Sequence, residues 1–161
     1  MLFRSHCACL TGKSGTVAAA SAMKTYPLDE ADEALIAAAR ETLLHAYHEV
    51  RHSVGAAVLA ASGKVYTGVN VESCGAGPCA EPVALGAAIS AGEQGLLAIV
   101  AVGGFDAPGY VLNPCGNCRQ MMIDYAPDML VIVGDEHGAH FKVRARDLLP
   151  FAYRHFDGDP P

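Results

Sequence analysis

Residues 96–102 read "LLAIVAV", an unbroken apolar run with no charged or polar side chain. A strand that is exposed on one face alternates polar and apolar residues, whereas a strand covered on both faces does not. We therefore predict a strand over 97–103 that lies inside the molecule. Residues 129–133, "MLVIV", have the same character. Because helices cover both faces of sheets built from such strands, the two strands are expected to pair in parallel.

The segments around these strands alternate between helical and extended patterns. Apolar residues recur at helical spacing and predict helices over three segments, 28–50, 79–92 and 116–125. Residues 53–71 form two β-rich runs separated by "ASGK", which predicts a hairpin, and a weaker strand is expected at 140–144. The order of elements predicts an α/β fold, a three-layer α/β/α sandwich around a five-stranded mixed sheet.

The bulk composition limits the classes of function. The chain has 161 residues, which fits one domain, and its 52% hydrophobic and 17% charged residues argue against disorder. A formal net charge of −6 provides no basic surface for nucleic acid. No apolar run reaches the roughly 20 residues that cross a bilayer. We expect neither a nucleic-acid partner nor a membrane partner.

The ends of the chain differ from its middle. Residues 1–27 include a stretch without the periodicity that follows, and we expect a disordered N-terminal extension there. The folded domain is predicted to span 28–156, and residues 157–161 are predicted to form a loose C-terminal tail.

Six cysteines lie at positions 7, 9, 74, 79, 115 and 118. Such a set is compatible with disulfides in a secreted protein or with thiols in a reducing compartment. Because the long Ala, Val and Leu stretches can stabilise a fold without crosslinks, we favour reduced thiols and a cytoplasmic location. Reduced thiols are available to bind a metal.

Three of the cysteines stand at predicted helix starts. Cys79 opens one helix in "PCAE", and Cys115 and Cys118 form "PCGNC" at the start of the next. In a right-handed succession of strands and helices these starts meet at the carboxyl ends of the strands, so the three sulfurs are expected to converge. Helix N-termini favour thiolates, and three thiolates suit Zn²⁺ with a fourth position left for water. The pattern predicts a catalytic zinc site.

Two other interpretations of the cysteines remain open. A C-x-x-C pair by itself also occurs in redox pairs and in structural metal sites. Cys74, in the loop "ESCGAG", offers a fourth sulfur that would close a non-catalytic Cys₄ zinc module.

Glu81 follows Cys79 by two residues, a rotation of about 200° along a helix, so it is not expected to bind the same metal. A carboxylate beside metal-activated water can accept a proton and return it to a leaving group. Negative charge in the first turn of a helix is also favourable in itself, so Glu81 alone does not distinguish the two roles. Together with the cysteines it is typical of a hydrolytic deaminase.

The "C-A-E" at 79–81 and the "P-C-x-x-C" at 114–118 resemble the cytidine deaminase superfamily. Further blocks extend the resemblance, namely "VGAAV" at 54–58, "TGVNVE" at 67–72 and "DLLP" at 147–150. They are similar to blocks of the small homotetrameric nucleoside deaminases and of blasticidin S deaminase.

The resemblance covers roughly residues 28–156 and implies both an activity and a set of roles. It implies a homotetramer with one Zn²⁺ per subunit, bound by the three cysteines, with Glu81 as the proton shuttle. The implied reaction is hydrolysis of the 4-amino group of cytidine, 2′-deoxycytidine or a related cytosine nucleoside, as in pyrimidine salvage. The implied substrate contacts are Asn70 and Glu72 for the ribose, with His52, Ala80 and Tyr153 around the rest of the nucleoside. The alternative for Asn70 and Glu72 is a polar strand end in a turn. For His52 it is a surface position, and for Tyr153 a core or surface position.

Departures from the family pattern concern the substrate. Pro82 stands where nucleoside deaminases have an arginine that offsets the thiolate charge, and Arg119 is a candidate replacement. The segment from Asn70 to Cys79 is shorter than in typical cytidine deaminases, and both features resemble blasticidin S deaminase. Asn113 stands where the family often has a serine, immediately before the P-C-x-x-C motif. The alternative substrate is blasticidin S or another modified, N4-substituted cytosine nucleoside.

Overall fold

The computed structural model describes residues 23–104 and 110–153. Its elements in chain order are α1 (Glu30–Ala46), β1 (Val54–Ala60), β2 (Val65–Val69), α2 (Ala80–Ser90), β3 (Leu96–Gly103), β4 (Tyr110–Leu112), α3 (Gly116–Tyr125), β5 (Leu130–Gly134), β6 (His140–Arg144) and a 3₁₀ turn (Ala145–Leu148). The helices in this part of the chain are too short or too polar to cross a membrane.

The strands form one mixed sheet in the order β2-β1-β3-β5-β6, with β4 added along β3. The parallel pair is β3 with β5, as predicted, and the other strand pairs are antiparallel. Within the described residues the sheet has six strands, so the expected number of five was wrong. The additional strand, β4, is three residues long, which is too short for a period-2 pattern to reveal it.

Neighbouring residues of the central strands face opposite sides of the sheet. One side packs against α1, through Leu35, Ile36, Ala39, Leu43, Ala57, Val100, Val102 and Ile132. The other side packs against α2 and α3, through Ala56, Val58, Ala84, Leu85, Ala88, Ile99, Met122 and Val131. The prediction of a three-layer α/β/α sandwich is confirmed.

Helix α1 begins at a capping box in which the Asp29 side chain accepts from the Asp32 backbone N–H and the Asp32 side chain accepts from the Asp29 N–H. The buried Lys142 ammonium of β6 pairs with both carboxylates. The helix ends at Ala46, four residues before the predicted end, and the chain then forms a turn closed by His48 and His52.

Two glycines allow helices to approach the sheet closely, one on each side. A Cβ at Gly55 would lie 2.5 Å from the carbonyl oxygen of Ala39 in α1. A Cβ at Gly68 would lie 2.7 Å from the backbone nitrogen of Ala84 in α2. Real Cβ atoms do not approach backbone so closely, so these positions set the distance between each helix and the sheet.

The described part of the chain begins before the predicted domain start at residue 28. Tyr26 forms an antiparallel bridge with Lys142, so contacts with the sheet already exist at this residue. Residues 1–22 and 154–161 lie outside the described part of the chain, and with them Cys7, Cys9 and the predicted C-terminal tail.

Candidate metal centre and active site

Three cysteines come together where α2 and α3 begin. Cys79 is the N-cap of α2, Cys115 is the N-cap of α3, and Cys118 lies in the first turn of α3, fully buried. The Cys79 and Cys115 sulfurs are 3.8 Å apart, and those of Cys115 and Cys118 are 3.5 Å apart. All three sulfurs lie within 4.8 Å of one another. The predicted convergence is therefore present in the fold.

The spacing of the sulfurs fits a tetrahedral metal ion. Zinc–sulfur bonds of about 2.3 Å place neighbouring ligands of a tetrahedron about 3.8 Å apart. A disulfide would require a sulfur–sulfur distance of about 2.05 Å, and these cysteines are unpaired. Three soft thiolate donors with room for a fourth ligand match the preference of Zn²⁺.

Cys74 does not join this group. Its side chain is exposed in the loop after Glu72, and the metal-ligating cluster found among the described residues contains Cys79, Cys115 and Cys118. The interpretation as a closed Cys₄ module therefore lacks its fourth ligand in this fold.

The electrostatics of the thiols differ from the expectation that helix starts favour thiolates at both positions. Burial raises the pKa of Cys79 and of Cys118, and the nearby Glu81 carboxylate raises both pKa values further. Burial also acts on Cys115, but hydrogen bonds from Cys118 and from the Asn117 backbone lower the pKa of Cys115 overall. In the free thiols, burial and crowded negative charge therefore oppose the helix terminus at Cys79 and Cys118, whereas hydrogen bonds outweigh burial at Cys115. A divalent cation supplies the positive charge that three adjacent thiolates require.

Glu81 lies in the first turn of α2 and is 5% exposed. The charge of its carboxylate raises the pKa of the Cys79 and Cys118 thiols, and Glu81 lines the same cleft as Cys79 and Cys115. A buried carboxylate beside a metal-ligating cluster is the arrangement expected of a group that moves protons at the metal.

The cleft around these groups has a volume of about 290 Å³. It is lined by Ser53, Val54, Asn70, Glu72, Gly77, Pro78, Cys79, Ala80, Glu81, Ala101, Leu112, Asn113 and Cys115. A larger groove of about 500 Å³ includes Tyr26, Tyr125 and Arg144, but it contains none of the predicted site residues. The larger groove is therefore not the candidate site. The smaller cleft is the candidate, because it contains Cys79, Cys115 and Glu81.

Asn70 lies in the cleft and is 8% exposed. Its Oδ1 accepts hydrogen bonds from the backbone N–H groups of Ser53 and Val54, at 2.8 and 2.9 Å. Its Nδ2 donates to the Arg51 carbonyl at 3.2 Å and approaches Glu72 Oε1 at 3.5 Å. Asn70 therefore holds the wall of the cleft together and orients Glu72, whose side chain is exposed at its edge.

The other predicted substrate contacts divide into two groups. Ala80 lines the cleft beside Glu81. His52 does not line it, because its Nδ1 lies 2.7 Å from the Asn70 carbonyl oxygen and its ring is edge-on to His48. Tyr153 does not line it either, since its backbone is hydrogen-bonded to the Gln120 side chain and its own side chain is 72% exposed. The fold brings together Glu81, Asn70, Glu72 and Ala80 with the group of three cysteines, Cys79, Cys115 and Cys118.

Several residues of the cleft are not among those predicted from the sequence. Ser53 and Leu112 line it, and their only signal is that each stands next to a recognisable block. Asn113 lines it as well and was noticed only as a departure from serine. Arg119, the candidate cation for the thiolates, donates to the carbonyls of Pro114 and Leu148 at 2.8 and 3.1 Å.

The chain containing this site is similar to a known family of proteins. A family model described as the cytidine and deoxycytidylate deaminase zinc-binding region matches residues 29–134, more than half of the chain. The chain belongs to this family. The cytidine and deoxycytidylate deaminase match includes the three cysteines and Glu81, and the resemblance inferred from the sequence is confirmed.

Individual proteins of the deaminase family are similar to this chain in sequence and in structure. The chain is 33% identical over 138 residues to a blasticidin-S deaminase of Bacillus cereus, covering 81% of this chain and 98% of that protein. It is 42% identical over 105 residues to a cytidine deaminase of Mycobacterium tuberculosis, covering 64% and 74%. The crystal structure of a cytidine deaminase from Burkholderia pseudomallei superposes with a TM-score of 0.63 at 38% identity, covering 75% of this chain and 98% of that one.

Proposed function

We propose that this protein is a zinc-dependent aminohydrolase that converts the 4-amino group of a cytosine nucleoside to a carbonyl and releases ammonia. The observation that carries the proposal is the buried carboxylate of Glu81 in the same cleft as the converging cysteine sulfurs. Membership of the deaminase family supports the same reaction class. The overall reaction consumes one water and produces the uridine analogue and ammonia.

Cys79, Cys115 and Cys118 would hold one Zn²⁺ per subunit. When bound, zinc supplies Lewis-acid chemistry and lowers the pKa of a water from 15.7 to about 7. The positions of the ligands at two helix starts fix them relative to the sheet.

Glu81 would carry the protons. Its carboxylate accepts a proton from the attacking water and delivers it to N3 of the cytosine ring as the oxygen bonds to C4. It then passes the second water proton to the departing amino group, so that the C4–N4 bond breaks and ammonia leaves. Each transfer returns Glu81 to its starting state, and its burial keeps bulk water from competing.

The remaining wall of the cleft would bind the nucleoside. Glu72 is an exposed acidic residue of the cleft and would take hydrogen bonds from the ribose hydroxyls, with Asn70 holding it in place. Ala80 leaves space for the ring next to Glu81. A role for Tyr153 would be at the cleft of another subunit, which fits the homotetramer that the resemblance implies, whereas His52 would act from beside Asn70.

The charge of the cleft favours nucleosides over nucleotides. Of the residues that line it in the described structure, Glu72 and Glu81 are acidic and none is lysine or arginine. A phosphate would enter this field without a cationic partner, which is costly in a partly desolvated site. We expect cytidine to be a better substrate than cytidine 5′-phosphate.

Blasticidin S is the second candidate substrate. It is favoured by the match over 98% of a blasticidin-S deaminase and by Pro82 in place of the arginine of nucleoside deaminases. Ultraviolet absorbance assays with cytidine, 2′-deoxycytidine, cytidine 5′-phosphate, an N4-methylated cytidine and blasticidin S separate the candidates. Turnover of blasticidin S alone would select the second candidate, and failure of all five in a zinc-loaded sample would contradict the proposal.

The cellular setting is proposed together with the activity. We propose a homotetramer that acts in pyrimidine salvage in the cytoplasm, supported by the family resemblance and by unpaired cysteines among the described residues. Light scattering on the purified protein measures the mass, and a subunit mass of 16.7 kDa predicts roughly four times that value for a tetramer.

A further inference from the structure

The segment that carries Cys115 has no regular secondary structure of its own. Residues 113–115 connect the end of β4 to the start of α3 and lie outside both elements. A metal ligand must stay within a few tenths of an ångström of its position, and loops without support are the more mobile parts of a fold. Contacts that fix this segment therefore bear directly on the metal centre.

The side chain of Asn113 pairs with both backbone groups of Gly134 at the end of β5. The Gly134 N–H donates to Asn113 Oδ1 at 2.9 Å, and Asn113 Nδ2 donates to the Gly134 carbonyl at 2.9 Å. This is the pattern by which a strand residue pairs with its neighbour, and it assigns the oxygen and nitrogen of the amide unambiguously. Asn113 thus extends the sheet by one side chain.

The topology explains why Gly134 is available to Asn113. Strand β3 pairs with β5 only at Ala98–Leu130 and Ile99–Val131. Further along, β3 pairs instead with β4, through Ala101 and Leu112. The carboxyl end of β5 therefore diverges from β3, and the amide of Asn113 bridges from the end of β4 to β5.

Arg119 supports the same segment from the helix side. Its Nε donates to the Pro114 carbonyl at 2.8 Å, and its Nη1 donates to the Leu148 carbonyl at 3.1 Å. Residues 113 and 114, immediately before Cys115, are therefore tied to two different parts of the fold.

We propose that Asn113 is a positioning residue of the metal centre, which holds the Cys115 sulfur at its distance from Cys79 by tying the ligand-bearing segment to the end of β5. Oδ1 and Nδ2 each make one of these hydrogen bonds, and Asn113 lies two residues before Cys115, so the proposed action of Asn113 runs through Cys115. The inference rests on the proposed zinc function. Its primary effect is on the affinity for the metal, and any effect on turnover follows from the occupancy of the metal site. Partners that orient metal ligands typically contribute about 10–100-fold to affinity.

The variant Asn113→Asp tests the inference at constant shape. The carboxylate still accepts from the Gly134 N–H, but its second oxygen faces the Gly134 carbonyl, so one hydrogen bond becomes a repulsion. We expect zinc affinity, measured by competition with a chelator, to fall about 10–100-fold. With Co²⁺ in place of zinc, the thiolate-to-cobalt absorption band should weaken. At saturating zinc kcat should recover, because the variant acts through the occupancy of the metal site. Asn113→Ser, which shortens the side chain and introduces no repulsion with the Gly134 carbonyl, should lose less affinity and serves if Asn113→Asp does not fold.

A variant destabilised elsewhere provides the matched control. Asp29→Ala removes the cap of α1 on the opposite side of the sheet and should lower Tm while zinc affinity stays at the wild-type value. Wild-type zinc affinity in both Asn113 variants would overturn the inference, as would an equal loss of affinity in Asp29→Ala. A wild-type protein that binds zinc but deaminates no cytosine nucleoside would remove the proposed function, while the chelator competition would still decide the role of Asn113.

Discussion

At the scale of single residues, the proposed chemistry depends on Glu81, which is buried and lines the cleft with Cys79. Glu81→Gln keeps the size of the side chain but removes its capacity to carry a proton. A positioned acid–base group typically contributes about 10²–10⁴-fold, so we expect kcat to fall at least about 100-fold. Bound zinc per subunit should not change, because Glu81 is separate from the sulfur cluster. Steady-state kinetics and metal analysis on the same samples measure both.

Glu72→Gln makes the same chemical change at the edge of the same cleft and is the matched control. It should raise KM for the nucleoside more than it lowers kcat, since Glu72 is proposed to bind and not to transfer protons. If Glu81→Gln instead loses zinc in proportion to activity, its carboxylate supports the metal and the proposed proton transfer is wrong.

The sequence predicts the position of a site residue where a short local pattern determines it. Cys79, Glu81, Cys115 and Cys118 each have a fixed offset from a helix start, so a local pattern determines where their side chains emerge. His52 lies outside the cleft because of the turn at 48–52, which no local pattern specifies. The direction of the pKa shifts of Cys79 and Cys118 could not be predicted from the sequence either, since these shifts depend on burial.

At the scale of elements, Lys142 of β6 joins the start of α1 to the sheet. Its side chain is 8% exposed and pairs with Asp29 and with Asp32, whose side chain is 6% exposed. Lys142→Met leaves the Asp32 carboxylate buried without its cation, which typically costs about 3–5 kcal/mol. We expect the free energy of unfolding, measured with urea, to fall by about that amount.

Two further variants separate charge from packing at this ion pair. In Asp32→Asn/Lys142→Met no unpaired charge remains buried, so part of the lost stability should return. Asp29→Ala should cost only about 1 kcal/mol, the usual value of an N-cap. Equal stabilities of the single and double variants would indicate that the cost arises from lost packing.

The fold was predictable where strands are long and apolar. Strands β3 and β5 are buried on both faces, and their uninterrupted apolar runs predict that directly. Strand β4 was missed because its three residues form a strand only through pairing with β3, which is a tertiary contact. The end of α1 was predicted too late, since residues 47–50 continue the helical pattern but fold into the turn before β1.

At the scale of the whole molecule, the proposed metal ligands belong to two helices that pack on the same side of the sheet. Cys79 belongs to the start of α2, whereas Cys115 and Cys118 belong to the start of α3. A ligand that binds only the folded protein stabilises it by about 2.7 kcal/mol when present at 100 times its Kd. Chelation of zinc should therefore lower Tm, and added zinc should restore it.

Cysteine variants show whether this stabilisation comes from the predicted centre. Cys118→Ser removes a buried ligand, so its Tm should no longer respond to chelator or to zinc. Cys74→Ser is the matched control, because Cys74 is exposed and separate from the cluster, and its response should equal that of the wild type. Calorimetry with and without chelator measures all three proteins. Loss of the zinc response in Cys74→Ser would restore the closed Cys₄ interpretation and contradict the open, catalytic one.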